Sequence, residues 1–517
     1  MAHKLDLLIK NGTIVDGSGH RRYRSDVGVR GGQISHIAPD LSIDADTTID
    51  AEGLIVCPGF VDIHNHSDMS IPFDNRLESM IRQGVTTLVT GNCGSSLAPI
   101  NDETLEVIKK DFDVFTPPGH SLNITWRTFR EYLERMEEIP VPLNIATLVG
   151  FGTVRVASGL GFENRKPTKK ELAAMKADVA EAMEAGAFGL STGLFYAPQS
   201  YASTQEVIEL AKVVAKYNGL YFSHIRGEGA TVVQAVEELI QIVEKSGCRG
   251  GQIAHHKIAG QPYWGMSKET LKLVAEANKR GTNIRCDQYP YDRGMTSLIS
   301  LLPPWVHEGG MESLLEHLTS TESQQQIRRD IDGGIEGWEN IIKEIGWNGI
   351  YLASTKTDKW KTAQGKSLQQ IANENGYSDY FQLLFQILLD EEGEASMTIE
   401  SMDEDDIRRI MRSKYTMFGT DGWGISPAGI FSYAKPHPRS YGTYPRILAK
   451  YVREEKLLTL EEAVWKMTGF PAETLGLADR GFIRKGFWAD VVVFDPQAIR
   501  DIATFLKPHQ FPIGINR

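Results

Sequence analysis

Between residues 58 and 450 the chain keeps one rhythm: a short apolar run, a polar cluster where the run stops, then a helical stretch. The runs with their endings read FVDIHNH, VTTLVTGNCG, LNIATLVGFG, AFGLSTGLFY, LYFSHIRGE, GQIAHHKIAG, TNIRCDQYPYD and YTMFGTDG. Short apolar runs bounded by turn residues suit strands buried on both faces, as in a parallel sheet. The helical stretches supply the crossovers that parallel strands need. KKELAAMKADVAEAMEAG is the clearest of them, with Gly186 as its stop signal. Eight such units are what a (β/α)8 barrel requires, and its reactive groups sit at the carboxyl ends of the strands. Every polar cluster falls at such an end. The expected fold class is therefore α/β, a (β/α)8 TIM-type barrel.

Two segments depart from the rhythm. Residues 4 to 57 alternate apolar and polar residues, with hairpin signals at Asn11-Gly12 and Gly31-Gly32, and GFIRKGFWADVVVFDP at 481 to 496 has the same grammar. Residues 1–57 and 451–517 are expected to pair as a small β-sandwich domain, with the barrel, 58–450, between them. Asp292 to Tyr415 is far longer than one βα unit needs, and it carries charge-rich helical stretches such as ESLLEHLTSTESQQQIRRDI. A helical insertion within 293–410, before the last barrel strand, is expected over the barrel mouth as a lid.

The 517 residues exceed one ordinary core, which fits two units. Fifty-five basic against 67 acidic residues give a net charge of −12, which disfavours nucleic acid or an anionic membrane as partner. A small anionic substrate stays open, since a few local cations decide that. Cys57, Cys93, Cys248 and Cys286 lie far apart with no CxxC, and no signal-type or membrane-spanning apolar run is present. A reduced, cytoplasmic, soluble protein is expected.

PGFVDIHNHSD, residues 58–68, sends His64 and His66 to one side of a strand end, about 7 Å apart, close enough to share a cation. Alone the pair is weak evidence. Cys93, His224, either His255 or His256, and Asp421 also lie at strand ends, so a closed barrel would bring them to one spot. Each has a bland reading alone, as a buried cysteine, a core histidine or a turn aspartate; jointly those readings fail. Histidine and thiolate ligands with one carboxylate suit zinc better than magnesium or calcium. Only one histidine of His255-His256 can face the cluster, and Lys257 shares the face of His255.

At this point the motifs are familiar. PGFVDIHNHSD, QGVTTLVTGNCG, GLSTGLFYAP, FSHIRGE, IAHHKIAG, DQYPYD, FGTDG, HPRSYGTYPRIL and GFIRKGFWADVVVFD together resemble the amidohydrolase superfamily, and within it the N-acyl-D-amino-acid deacylases. Hydantoinases and dihydroorotases usually bridge their metals with a carboxylated lysine; here a cysteine stands in that role. The resemblance implies a tight zinc site of Cys93, His224 and His255, and a weaker position at His64 and His66 for a second divalent ion. It implies Asp421 as general base and then acid. Lys257, Tyr289 and Arg226 are implied holders of the substrate's α-carboxylate, and Tyr196 a donor to the amide carbonyl. The implied reaction is zinc-dependent hydrolysis of N-acyl-D-amino acids. A cyclic-amide (hydantoinase- or dihydroorotase-like) or dipeptide hydrolase on the same scaffold is the other enzymatic reading. Arg293, just after YPYD, reads as a solvated loop arginine or as a partner for an acidic substrate side chain. Family members commonly run past KPHQFPIGIN, whereas this chain stops at Arg517.

Overall fold

The computed structural model describes residues 4–515; Met1–His3 and Asn516–Arg517, which the sequence assigns to the small β unit, lie outside the described residues. The chain opens with β1 (Leu5–Ile14), β2 (Tyr23–Arg30), β3 (Gln33–Ala38), β4 (Ala45–Asp50) and β5 (Ile55–Pro58). Ile9, Ile14, Val27, Ile34 and Val56 from these strands share one apolar cluster, the inward half of the alternation.

Parallel strands follow. They are β6 (Phe60–Asp62), β7 (Val85–Thr90), β8 (Asn144–Thr147) with its short continuation β9 (Val149–Gly150), β10 (Gly189–Gly193), β11 (Leu220–His224), β12 (Gly250–Ile253) and β13 (Ile284–Gln288). β14 (Arg293–Ser297), β15 (Ile350–Ser354) and β16 (Ser396–Glu400) come next, then β17 (Thr416–Phe418) and, near the C-terminus, β18 (Val491–Phe494). Each apolar run named from the sequence holds one of the parallel strands.

Pairing runs β6-β7-β8 in one parallel set and β9-β10-β11-β12-β13-β17 in the other. Asn65, just past β6, bridges in parallel to Gly422, just past β17. Alternate residues Val61, Ile63, Val89, Leu148, Phe222 and Met417 meet in one buried cluster. The helix Lys169–Ala185 shows why the crossovers form where they do. Thr168 and Glu171 make a reciprocal capping box at its start, and Gly186 ends it at φ +118°, a left-handed conformation that costs glycine little.

The C-terminal strand returns to the beginning: β18 pairs antiparallel with β5, Val492 opposite Cys57, within a single six-stranded sheet. Residues 451–475, assigned by sequence to the small β unit, do not join that sheet. The helix Leu460–Met467 puts Val464 and Met467 against Phe60 and Phe418, and Gly469–Leu475 puts Phe470 and Leu475 against Val61 and Phe222.

The insertion between β13 and β17 is not purely helical either. β14, β16 and β15 form a three-stranded antiparallel sheet with its own core, in which Leu298, Leu314, Ile350, Leu384 and Met397 are buried. Each of these strands has five residues, with long helical stretches between β14, β15 and β16, so no hairpin turn signals their pairing. No helix among the described residues is long and apolar enough to cross a membrane.

Candidate metal centre

The site is assembled by backbone clasps between the first and last parallel strands. The buried Asp62 carboxylate accepts from the Thr420 amide at 2.8 Å and the Thr420 hydroxyl at 2.6 Å. The Asp421 amide then donates to the His64 carbonyl at 2.8 Å, and the His66 amide to the Gly422 carbonyl at 2.9 Å. Asp421 Oδ1 is thereby held 3.4 Å from His64 Nε2 and 3.1 Å from His66 Nε2.

Cys93, His255 and Asp421 all have left-handed backbones, φ +55°, +35° and +51°. Such conformations cost on the order of 1 kcal/mol or more for residues other than glycine and concentrate at functional sites. Here they turn three side chains inward just where strands end. Cys93 Sγ lies 3.4 Å from His64 Nε2 and 3.6 Å from His255 Nε2. The His224 ring stands edge-on to His255 at a centroid distance of 4.4 Å.

Three overlapping triples result: His64, His66 and Cys93; Cys93, His224 and His255; His64, His255 and Asp421. Within each triple the candidate ligand atoms lie within 4.8 Å of one another. Thiolate and imidazole at such spacings are the donor set of zinc. His224 supplies an independent sign. Both of its ring nitrogens are buried and neither has a hydrogen-bond partner, a costly condition that a bound cation relieves.

Around these groups stand carboxylates that orient them. Asp287 Oδ1 lies 3.2 Å from His64 Nδ1 and accepts from the His255 amide at 2.8 Å, while Oδ2 accepts from Gln252 at 2.6 Å. With Nδ1 donating to Asp287, His64 presents the lone pair of Nε2 to the cluster. His255 Nδ1 lies 3.0 Å from Glu228 Oε1 and 2.6 Å from Lys257 Nζ, and Lys257 itself pairs with Glu228 at 2.6 Å. His256 turns away to Thr270 at 3.0 Å, so of the two neighbours His255 joins the cluster.

The local field is one that attracts cations. Burial would push His64 and His66 down. Asp287, Cys93 and Asp421 overcome it for His64, which is raised well above its usual range; Asp421 and Cys93 lift His66 to about 9. Burial would push the Cys93 thiol up, but His64, His224 and His255 pull it well below the ordinary thiol range. The Asp421 carboxyl, likewise opposed by burial, is held well below its usual range by Arg439, His64 and His255. Arg439 Nη1 sits 2.7 Å from Asp421 Oδ2.

The amidohydrolase family model matches residues 47–515. The chain belongs to the amidohydrolase family. The D-aminoacylase of Alcaligenes xylosoxydans xylosoxydans is 36% identical over 512 residues, 99% of this chain and 92% of that protein. The N-acyl-D-glutamate deacylase of the same organism is 35% identical over 519 residues, 100% of this chain and 92% of that protein. Among solved structures, the N-acyl-D-glutamate deacylase from Bordetella bronchiseptica, complexed with zinc and a phosphonate mimic of the tetrahedral intermediate, superposes with a TM-score of 0.82. Its identity is 33%, with 99% of this chain and 95% of that one covered. The motif resemblance is borne out over the whole chain.

In this amidohydrolase the cluster opens into a cavity of about 300 Å³, which Lys257, Tyr289 and Tyr196 also line. Lys257 Nζ and Arg439 Cζ lie 5.7 and 4.7 Å from the Tyr289 ring centroid, so two cations flank one phenol. The Tyr196 hydroxyl accepts from Thr296 at 3.1 Å, which leaves its own proton free to donate, and burial keeps it protonated. Arg226 does not line the cavity. Its guanidinium is consumed by both Glu238 oxygens and by the Ser200 and Ala202 carbonyls, at 2.9 to 3.0 Å. Trp338, Glu339, Ile341 and Ile345 of the insertion form part of the cavity wall. Sequence reasoning missed Asp287, Glu228 and Arg439. Strand alternation could have marked Asp287, and the i+4 spacing from His224 could have drawn notice to Glu228. Arg439 carries no local signal.

Proposed function

We propose that this chain hydrolyses the amide bond of N-acyl-D-amino acids, releasing a carboxylate and a D-amino acid, with zinc as its metal. Two histidine-cysteine triples sharing Cys93, beside a carboxylate anchored by Arg439, are the observation that carries the reading. Cys93, His224 and His255 would hold the tight ion; His64 and His66, with Cys93, offer a second position. Bound there, zinc supplies Lewis acidity toward water and the amide carbonyl.

The chain's own groups do the rest. Asp421, anionic at neutral pH, takes the proton of the attacking water through Oδ1 while Arg439 holds Oδ2. The water oxygen bonds to the acyl carbon, and Tyr196 donates to the carbonyl oxygen as charge builds on it. The C–N bond breaks, and the proton on Asp421 passes to the leaving nitrogen. Lys257, Tyr289 and Arg439 face the α-carboxylate and fix the scissile bond. On this reading the parallel strands close as a (β/α)8 barrel, with the sheet of β1–β5 and β18 as a separate small domain and the insertion as cover.

A side-by-side assay of N-acetyl-D- and L-amino acids, hydantoins, dihydroorotate and dipeptides tests the proposal. D-specific hydrolysis of the linear amides is expected. Asp421→Asn should lose ~10²–10⁴-fold in kcat with zinc content unchanged. Wild-type turnover by that variant would refute the assigned mechanism.

A further inference from the structure

The geometry points to a substrate whose D-side chain is uncharged and apolar, with derivatives of D-glutamate and D-aspartate excluded; this rests on the deacylase reading above. The argument is a count of cations. Among the described residues lining the cavity, the lysines and arginines are Lys257 and Arg439. Both are already engaged, Lys257 with Glu228 at 2.6 Å and Arg439 with Asp421 at 2.7 Å. Between them they can meet the one α-carboxylate that every N-acyl-amino acid carries. An acidic side chain brings a second carboxylate. What remains for it is the company of Asp111, Glu228 and Asp421, which line the same cavity. His307 and His437 line it too, but burial holds both below their usual range, His307 down to about 4, so neither adds charge at neutral pH.

Arg293 is the residue that could have supplied a third cation. Its neighbours Gly294, Met295, Thr296 and Ser297 line the cavity, and Arg293 itself does not. Its Nη2 pairs with Glu400 Oε2 at 2.6 Å across β14 and β16. Its guanidinium carbon lies 3.9 Å from the ring centroid of Tyr351 and 4.6 Å from that of Phe505. Stacked between two rings and ion-paired, it is satisfied on the outer side of the wall. Much of the remaining lining is apolar, including Phe112, Phe195, Met295, Ile299, Leu302 and Ile341. Such a wall gains from an aliphatic or aromatic side chain and offers a second carboxylate no free cationic partner.

The test uses the zinc-loaded protein. kcat/KM is measured for N-acetyl-D-leucine, N-acetyl-D-methionine, N-acetyl-D-glutamate and N-acetyl-D-aspartate, in the wild type and in Arg293→Gln. The neutral substrates should exceed the acidic ones on the order of 100-fold or more, the scale set by stranding a charge in a desolvated site. Arg293→Gln should leave that ratio unchanged. A ratio near one, or one favouring the acidic substrates, overturns the inference while leaving the deacylase reading intact. So does a selective loss of acidic-substrate turnover in Arg293→Gln, because Arg293 would then be reaching the side chain. Failure to hydrolyse any of the four would instead overturn the deacylase reading, and the inference with it.

Discussion

Asp287 touches no substrate, yet replacing it should weaken zinc binding more than any other change outside the six clustered residues. Its carboxylate orients two of them at once: Oδ1 faces His64 Nδ1 at 3.2 Å and receives the His255 amide at 2.8 Å. Asp287→Asn keeps the shape. The new amide can still accept those two donors through its oxygen. Its nitrogen meets Gln252, whose Oε1 is buried without a partner and can accept once that side chain turns over. What disappears is the negative charge, the first influence raising His64 against its burial. Loss of a charged partner behind a metal-bound histidine typically lowers affinity 10–100-fold, about 1.4–2.8 kcal/mol. Asp287→Ala goes further. It leaves a ring N–H and a backbone N–H buried and unpaired, at ~1–3 kcal/mol each, and should lower thermal stability as well. Competition titration against a chromophoric chelator gives the zinc affinity, and circular dichroism checks the fold. An Asp287→Asn protein that is folded and binds zinc within twofold of wild type would refute the orienting role.

Three further outcomes follow from the same geometry. Arg439 holds the Asp421 carboxyl down, so Arg439→Gln should raise it and move the acid limb of the kcat–pH profile to higher pH; an unmoved limb would disconnect Asp421 from the rate. Glu339 is pushed up to about 8 by burial and by Glu228 and Glu344. A carboxyl raised in the folded state lends stability that is full below its unfolded value and is lost as pH climbs to 8. The insertion should therefore be cut faster by protease at pH 9 than at pH 6, and Glu339→Gln should flatten that difference. Last, alkylation of zinc-free protein should label Cys93 first and be blocked by zinc, because burial raises the thiols of Cys57, Cys248 and Cys286; equal labelling of all four would contradict the field described at Cys93.

The strands and the six-residue cluster were legible for one physical reason. A strand buried on both faces must be apolar until it ends, so a histidine, cysteine or aspartate at its terminus stands out against the run. His64, His66, Cys93, His224, the His255-His256 pair and Asp421 all announce themselves that way, and the structure chooses His255 from the pair. Asp287 is less visible because it lies inside β13 beside Gln288, before the strand has ended, so only the alternation along the strand marks it. Arg439 is hidden because it reaches Asp421 from the start of the helix Arg439–Arg446, eighteen residues further on, about which local pattern says nothing. Arg226 misled because its position beside His224 is right, while its long side chain swings to Glu238. The small sheet of β14–β16 was masked by the helices around it: strand pairing across a hundred residues leaves no trace in local composition.

The clasp of Asp62 on Thr420 joins residues 358 positions apart, and the cluster draws ligands from both sides of that seam. All six residues stand together only once the first and last parallel strands have met, whereas Cys93, His224 and His255 sit at the ends of β7, β11 and β12, away from the seam. An ion held by the triple that crosses the seam, His64, His255 and Asp421, would add its affinity to the free energy that keeps the seam shut. Metal in that position would tie the first parallel strand to the last.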